Sequence, residues 1–345
     1  MNNGNLVEVR DLKTWFPVRK GVFQRIRSWV RAVDGVSFSI PKGKTLALVG
    51  ESGCGKTTVG KTLLRLVDPQ SGSIRFDGVE LGSLNRAQLR PMRKRMQIVF
   101  QDPANSLDPR MLVRDVVAEG IRGFGLSRSG VSVEEQVIRV LERVELDRDV
   151  LLRYPHEFSG GQRQRICIAR ALAVEPDFIV CDEATSALDV SVQASILNLL
   201  KSLQNDMGLT YLFITHDLSV VEYLSDRVAV MYLGQIVEEN DTETLFNRPN
   251  HPYTEALLRS APSLDPDNRD LVSLDGDVPS PMNPPAGCRF HPRCPRRFDR
   301  CDREEVPTYT LPTGTTRCFL HDPKKVHGNP PHERLPEEGE KGSES

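Results

Sequence analysis

Eight residues, Gly50-Glu51-Ser52-Gly53-Cys54-Gly55-Lys56-Thr57, constrain this chain more than any other stretch. They fit G-x-x-x-x-G-K-[ST], a loop that presents backbone N–H groups to a triphosphate. Before it, Thr45-Leu46-Ala47-Leu48-Val49 is a short apolar run of the kind a buried strand uses. After it, Thr58 opens a stretch to Leu66 that reads as a helix. Strand, glycine-rich turn and helix are the context the pattern needs, so a chance lysine in an ordinary turn is the weaker reading. Lys56 is expected to reach the β- and γ-phosphates and the Thr57 hydroxyl to ligate Mg²⁺.

At 345 residues the chain is long enough for two or more domains, each with its own core. With 45 Lys and Arg against 47 Asp and Glu, no bulk basicity points to nucleic acid. No apolar run approaches the ~20 residues that span a bilayer. Met1 to Leu12 is polar and charged, without a signal-peptide core. The expectation is a cytosolic protein, or one held at a membrane through a partner.

Residues 6–16 and 31–40 alternate apolar and polar positions and read as antiparallel strands covering one side of the loop. The basic, aromatic insert between them, Val18 to Arg31, is expected to be a surface loop or an outside contact. Phe16 or Trp15 is available to stack on a nucleobase. Residues 73–80 and 96–100 look like further strands, the latter delivering Gln101 to a metal. Helices are expected over 111–122 and 133–146, with Val133, Val137, Val140, Leu141 and Val144 on one stripe. They suggest a helical subdomain inserted into the α/β core.

Ser159-Gly160-Gly161-Gln162 then starts a helix running to about Val174, and Ser-Gly-Gly at a helix start is an anion site. A plain N-cap is the simpler reading of that tripeptide alone. Phe178-Ile179-Val180-Cys181 reads as a buried strand ending in Asp182-Glu183. Asp182 is suited to hold Mg²⁺ and Glu183 to orient or deprotonate a water. A helix follows over 191–204, and the strand Tyr211–Thr215 ends in His216, placed like Glu183 to contact a γ-phosphate. Beyond 225 come a hairpin turning at Leu233-Gly234 and two short helices, around 242–246 and 252–258. The proline-rich stretch 261–296 reads as an irregular appendage.

The phosphate loop, Gln101, Ser159–Gln162, Asp182-Glu183, Ser186–Asp189 and His216 occur in the order found in ATP-binding cassette (ABC) ATPases, and the chain resembles that family over about residues 5–320. Val99–Pro103, Asn105–Arg110, His251-Pro252-Tyr253-Thr254 and Pro281–Phe290 resemble its oligopeptide/dipeptide transporter branch. Phe158 stands where leucine is usual, and Ala184 where proline is common; neither carries a chemical group of the site. The resemblance implies an α/β P-loop NTPase core with an antiparallel β subdomain, an inserted α-helical subdomain (about 101–175) and a small Cys-rich C-terminal lobe. The corresponding units are 5–260, 261–325 and a disordered tail 326–345.

It further implies a peripheral ATPase on the cytoplasmic face of the cell membrane, using ATP and Mg²⁺ to drive peptide uptake. A related ATPase would pair with it head to tail, bringing Ser159–Gly161 of one subunit over the Lys56 loop of the other. Two transmembrane permease subunits and an extracytoplasmic peptide-binding protein complete the expected assembly. The groove for a permease helix would lie near Gln101 and Asn105–Arg110. A soluble cassette ATPase acting on nucleic acid is the rival class, and nickel or another small solute the rival cargo.

Of seven cysteines, Cys54 and Cys181 read most simply as small hydrophobes, while Cys288, Cys294, Cys301 and Cys318 crowd together. In a reducing compartment such a group is more often a metal site than a disulfide framework. It lacks the C-x-x-C pairs of zinc ribbons. Resemblance favours a [4Fe–4S] cluster over Zn²⁺ or free thiols, in a structural role.

Overall fold

The structure, a computed structural model, describes residues 4–21, 24–127, 130–260 and 276–324. The expected tail 326–345, the first part of the proline-rich stretch and Phe23 lie outside them.

The chain opens with two long strands, β1 (Asn5–Lys20) and β2 (Arg25–Pro41). Next come β3 (Thr45–Val49), α1 (Lys56–Leu63), β4 (Ser71–Phe76), β5 (Val79–Glu80), α2 (Arg86–Arg95) and β6 (Met96–Val99). A helical stretch follows, with α3 (Pro103–Ser106), α4 (Val113–Phe124), α5 (Val133–Arg143) and α6 (Gly160–Leu172). Then β7 (Phe178–Asp182), α7 (Val190–Met207), β8 (Thr210–Ile214), α8 (Leu218–Leu224), β9 (Arg227–Tyr232) and β10 (Gln235–Asp241) rebuild the α/β pattern. The short helices α9 (Thr242–Asn247) and α10 (Pro252–Ser260) precede β11 (Tyr309–Thr310) and β12 (Gly314–Thr316).

Two sheets result. One is antiparallel, in the order β2-β1-β4-β5. The other runs β11-β12-β10-β9-β3-β8-β7-β6, parallel from β6 to β9 and antiparallel beyond. Every residue of β3, β7 and β8 is buried, which is why each reads as an unbroken apolar run rather than an alternation. Pairing of Val99 with Cys181, Asp182 with Ile214 and Ile214 with Leu48 brings four strand ends to one edge. Ligands in such sheets bind at that edge.

Helices α4 and α5 pack on α6, which packs in turn on β6 and α7. Val116, Val117, Ile121, Val137, Leu141 and Ile166 close this core. On α5 the expected stripe is realised: Val137 and Leu141 are buried, Val144 just beyond the helix is buried too, and Val133 and Val140 pack at the margin. Ser132 and Glu135 cap its start reciprocally.

Three expectations are corrected. The insert 18–31 is not a surface loop but the tip of the β1–β2 hairpin, with Val18 opposite Ser28 and Lys20 opposite Arg25. Its strands are exposed on both faces, so no hydrophobic alternation betrays them. The single strand expected over 73–80 is two, folded at Asp77-Gly78, where both residues have positive φ. The C-terminal stretch is irregular from 276 to 308, but β12 then adds to the main sheet along β10, Glu238 facing Thr316. Buried Arg289 also bonds Asp34 and the Leu233 carbonyl, so this region is built into the fold rather than appended.

Candidate nucleotide site

The phosphate loop leaves β3 and enters α1 as the spacing predicts. Gly50 (φ 148°) and Gly55 (φ 109°) are required here, because a Cβ would lie 2.1 Å from the Met231 carbonyl and 2.0 Å from that of Ala32. Gly55 offers no side-chain cap to α1, so the amides at this helix start stay available. Lys56 is buried and folded back, its Nζ donating to the carbonyls of Gly50 at 2.7 Å and Glu51 at 3.1 Å. Ser52, Gly53, Gly55, Lys56, Thr57 and Thr58 line one groove, whose far side is Gln101 and Glu183.

Thr57 Oγ1 donates to Asp182 Oδ1 at 2.8 Å, joining the loop to the end of β7. Burial raises the Asp182 carboxyl above its ordinary pKa, against the Thr57 bond and the Lys61 and Lys56 charges that lower it. One residue on, Glu183 takes a left-handed turn (φ 48°), and its N–H donates to the Ile214 carbonyl. That turn sets its carboxylate between two neighbours: Gln101 Nε2 donates to Oε2 at 2.7 Å, and His216 Nδ1 lies 3.5 Å from Oε1. Gln101, Glu183, His216, Asp182 and Thr57 are thus assembled from separate parts of the sequence.

Ser159–Gln162 is not brought to that groove; among the described residues none of the four lines it. Ser159 caps α6 reciprocally with Gln162, and Ser159, Gly160 and Gln162 are exposed. Trp15 is committed elsewhere, its Nε1 donating to Asp34 at 3.2 Å and its ring under the Arg31 guanidinium. Phe16, on the opposite face of β1, is exposed. Cys54 and Cys181 are buried, and burial pushes their thiols up, Cys181 to about 12, as fits small apolar residues.

Cys288, Cys294, Cys301 and Cys318 converge on one small cavity walled by Phe290, Phe298 and Phe319. They do not close to ligand spacing: among the described residues no three His, Cys, Asp or Glu side chains are set for a metal ion. Burial, reinforced by the neighbouring thiols, pushes Cys288 up to about 11 and Cys294 to about 12.

Two contacts to the loop come from residues the sequence did not connect with it. Tyr253 Oη accepts from the Glu51 N–H at 3.0 Å, and Arg293 grips the Glu51 carboxylate with two nitrogens. Their signal lay in the His251–Thr254 motif and in a cation next to Cys294.

A phosphate loop whose threonine is bonded to an acidic strand end, at the carboxyl edge of a parallel sheet, defines a P-loop nucleoside triphosphatase. An ABC transporter family model matches residues 33–186, and one for the oligopeptide/dipeptide transporter C-terminal region matches 237–301. The chain is 49% identical to the probable peptide ABC transporter ATP-binding protein y4tS of Sinorhizobium fredii, covering 92% of this chain and 90% of that protein. It is 48% identical to the oligopeptide transport ATP-binding protein AppF of Bacillus subtilis, covering 93% and 98%. Among solved structures it resembles the ATP-binding cassette MJ0796 in a dimeric post-hydrolysis state bound to ADP and Pi, with TM-score 0.60, 27% identity, and 68% of this chain and 98% of that one covered. The chain belongs to the ABC transporter ATP-binding family, in its oligopeptide/dipeptide branch, and is an ATPase of that family.

Proposed function

We propose that this chain is the ATP-hydrolysing subunit of a peptide importer, acting at the cytoplasmic face of a membrane. The observation that carries the reading is the assembly of Gln101, Glu183 and His216 opposite a phosphate loop already tied to Asp182. Gly50 to Thr58 would cradle the triphosphate, Lys56 turning from its loop carbonyls to the β- and γ-phosphates, with Phe16 stacking on adenine. Thr57, Gln101 and Asp182 are the donors for Mg²⁺, which would neutralise charge on the β- and γ-oxygens. Glu183 orients the attacking water and takes up its proton, Gln101 holding the carboxylate in place. His216, on the other carboxylate oxygen, contacts the γ-phosphate.

The second anion segment, Ser159–Gln162, then serves another subunit. Its exposure, and the fact that it is not part of this chain's own groove lining, support a head-to-tail pair with a related ATPase, as does the dimeric state of the cassette resembled. Two permease subunits, fed by an extracytoplasmic peptide-binding protein, would take up the motion near Asn105–Arg110. Among the described residues no helix is long and apolar enough to cross a membrane, which fits attachment through those subunits. Residues 5–260 form the nucleotide-binding unit and 261–325 the oligopeptide-type region. In the latter, Cys288, Cys294, Cys301 and Cys318 share one apolar pocket and would be the ligands of a structural [4Fe–4S] cluster, provided that they draw together and lose their protons on binding it. Iron, sulfide and zinc analysis after anaerobic purification tests it; zinc without iron overturns it.

The decisive experiment compares ATP hydrolysis by the purified chain with hydrolysis by the chain co-expressed with its sister ATPase and permeases. Slow turnover alone and fast turnover in the assembly is expected. Equal rates would overturn the shared site.

A further inference from the structure

Glu51, the second residue of the phosphate loop, is held on three sides. Its N–H is spent on Tyr253 Oη at 3.0 Å rather than left for a phosphate. Its carboxylate takes a two-point ion pair from Arg293, at 2.7 and 3.0 Å. Its carbonyl accepts from Lys56 Nζ at 3.1 Å. The Arg293 side chain is only 4% exposed, so the pair is shielded from water and salt on one side. Tyr253 is itself fixed by Tyr232, ring centroids 4.7 Å apart, and both rings pack on Phe290.

The origin of these groups is the informative point. Cys288-Arg289-Phe290-His291-Pro292-Arg293-Cys294 is a seven-residue segment bounded by two of the four clustered cysteines. Arg289 reaches Asp34 and the Leu233 carbonyl, Phe290 fills the aromatic core, and Arg293 reaches Glu51. Glu51 therefore stands between the cysteine lobe and Lys56, whose ammonium must leave the Gly50 and Glu51 carbonyls to meet a phosphate. Where Glu51 sits sets what that exchange costs.

We propose that Tyr253 and Arg293 are positioning residues for the phosphate loop, acting through Glu51, and that the Cys288–Cys294 segment thereby makes ATP affinity depend on the integrity of the cysteine lobe. This rests on ATP binding at Gly50–Thr57.

The test is calorimetric titration of the full chain with MgATP, with thermal unfolding of each variant alongside. Arg293→Gln and Tyr253→Phe should each weaken ATP binding about tenfold, the scale of a typical coupling between sites. Arg293→Lys should recover part of the loss, since it keeps the charge without the fork. Arg293→Gln combined with Glu51→Gln should bind no more weakly than the weaker single variant, because both act through one link. Cys294→Ser should weaken binding in the same direction. Lowered melting temperatures with wild-type affinity in these variants would make the contacts a mere staple and overturn the inference. Should Arg293→Gln not fold, Tyr253→Phe, which removes one oxygen, decides alone. A wild-type chain that binds no ATP would overturn the nucleotide reading and this inference with it. Wild-type binding beside unchanged variants overturns this inference only.

Discussion

The molecule has two glycine-rich helix starts, and they are built for different purposes. At α1 the N-cap is a glycine at φ 109° that offers no side chain, and Lys56 and Thr57 follow at once. Around it strand ends deliver two carboxylates, an amide and an imidazole. At α6 the N-cap Ser159 satisfies the Gln162 N–H and receives the Gln162 side chain in return. Among the described residues this start lines no part of the phosphate groove, and Ser159, Gly160 and Gln162 are exposed. The first start gathers the groups of the proposed chemistry. The second is a reciprocally capped, exposed helix start. Such a pair makes sense when each completes the other's counterpart in a second subunit.

The sharpest way to break this comparison is to disarm the first site and leave the second. Glu183→Gln keeps the shape and the Gln101 contact but removes the proposed base. It should cut kcat roughly 10²- to 10⁴-fold, the range a general base contributes, while ATP binding and pairing persist. Single-turnover hydrolysis with a binding titration checks this; near wild-type turnover would remove Glu183 from the role.

Both starts were legible in the sequence, for different reasons. Gly50–Thr57 was visible because backbone geometry dictates its glycines, and β3, β7 and β8 because strands buried on both faces leave unbroken apolar runs. The partners that meet at Glu183 were legible as strand-end residues, although the left-handed turn that aims Glu183 was not. Helix α2 was missed because seven of its ten residues are Arg, Lys, Gln or Pro and only Leu89 is buried. The hairpin tip was missed because neither face is buried. The Arg293–Glu51 link spans 242 positions and obeys no periodicity, so only the fold discloses it.

Within the second start, neighbouring glycines should behave differently. A Cβ on Gly161 would lie 2.4 Å from Val192 Cγ1 on α7, whereas one on Gly160 meets only Leu188, at 3.4 Å. Gly161→Ala must displace the Val192 side chain or the helix that carries it, an overpacking cost of roughly 1–3 kcal/mol, visible as a lower melting temperature. Gly160→Ala should leave stability unchanged yet slow hydrolysis in the assembled pair, because its new methyl faces outward, where the opposing phosphate is expected. Equal melting temperatures for the two variants would show that Val192 or its helix has room to shift. Wild-type hydrolysis by Gly160→Ala in the assembly would free this surface from the site.

The smallest effect concerns Ser159. Its hydroxyl accepts from the Gln162 N–H at 3.3 Å, and the Gln162 side chain accepts from the Ser159 N–H at 3.1 Å. Ser159→Ala removes one of the two bonds and should cost about 1 kcal/mol, as N-cap replacements do. For an isolated chain nothing else should change, since its own phosphate groove contains no part of this segment. In the proposed assembly the same hydroxyl would face the partner's triphosphate, so the variant should lose hydrolysis there beyond its small stability deficit. Measuring both rates separates a cap from a ligand: a loss confined to stability makes Ser159 a cap and nothing more. A rate loss that appears only on pairing makes it half of a site whose other half is Lys56 of the neighbouring subunit.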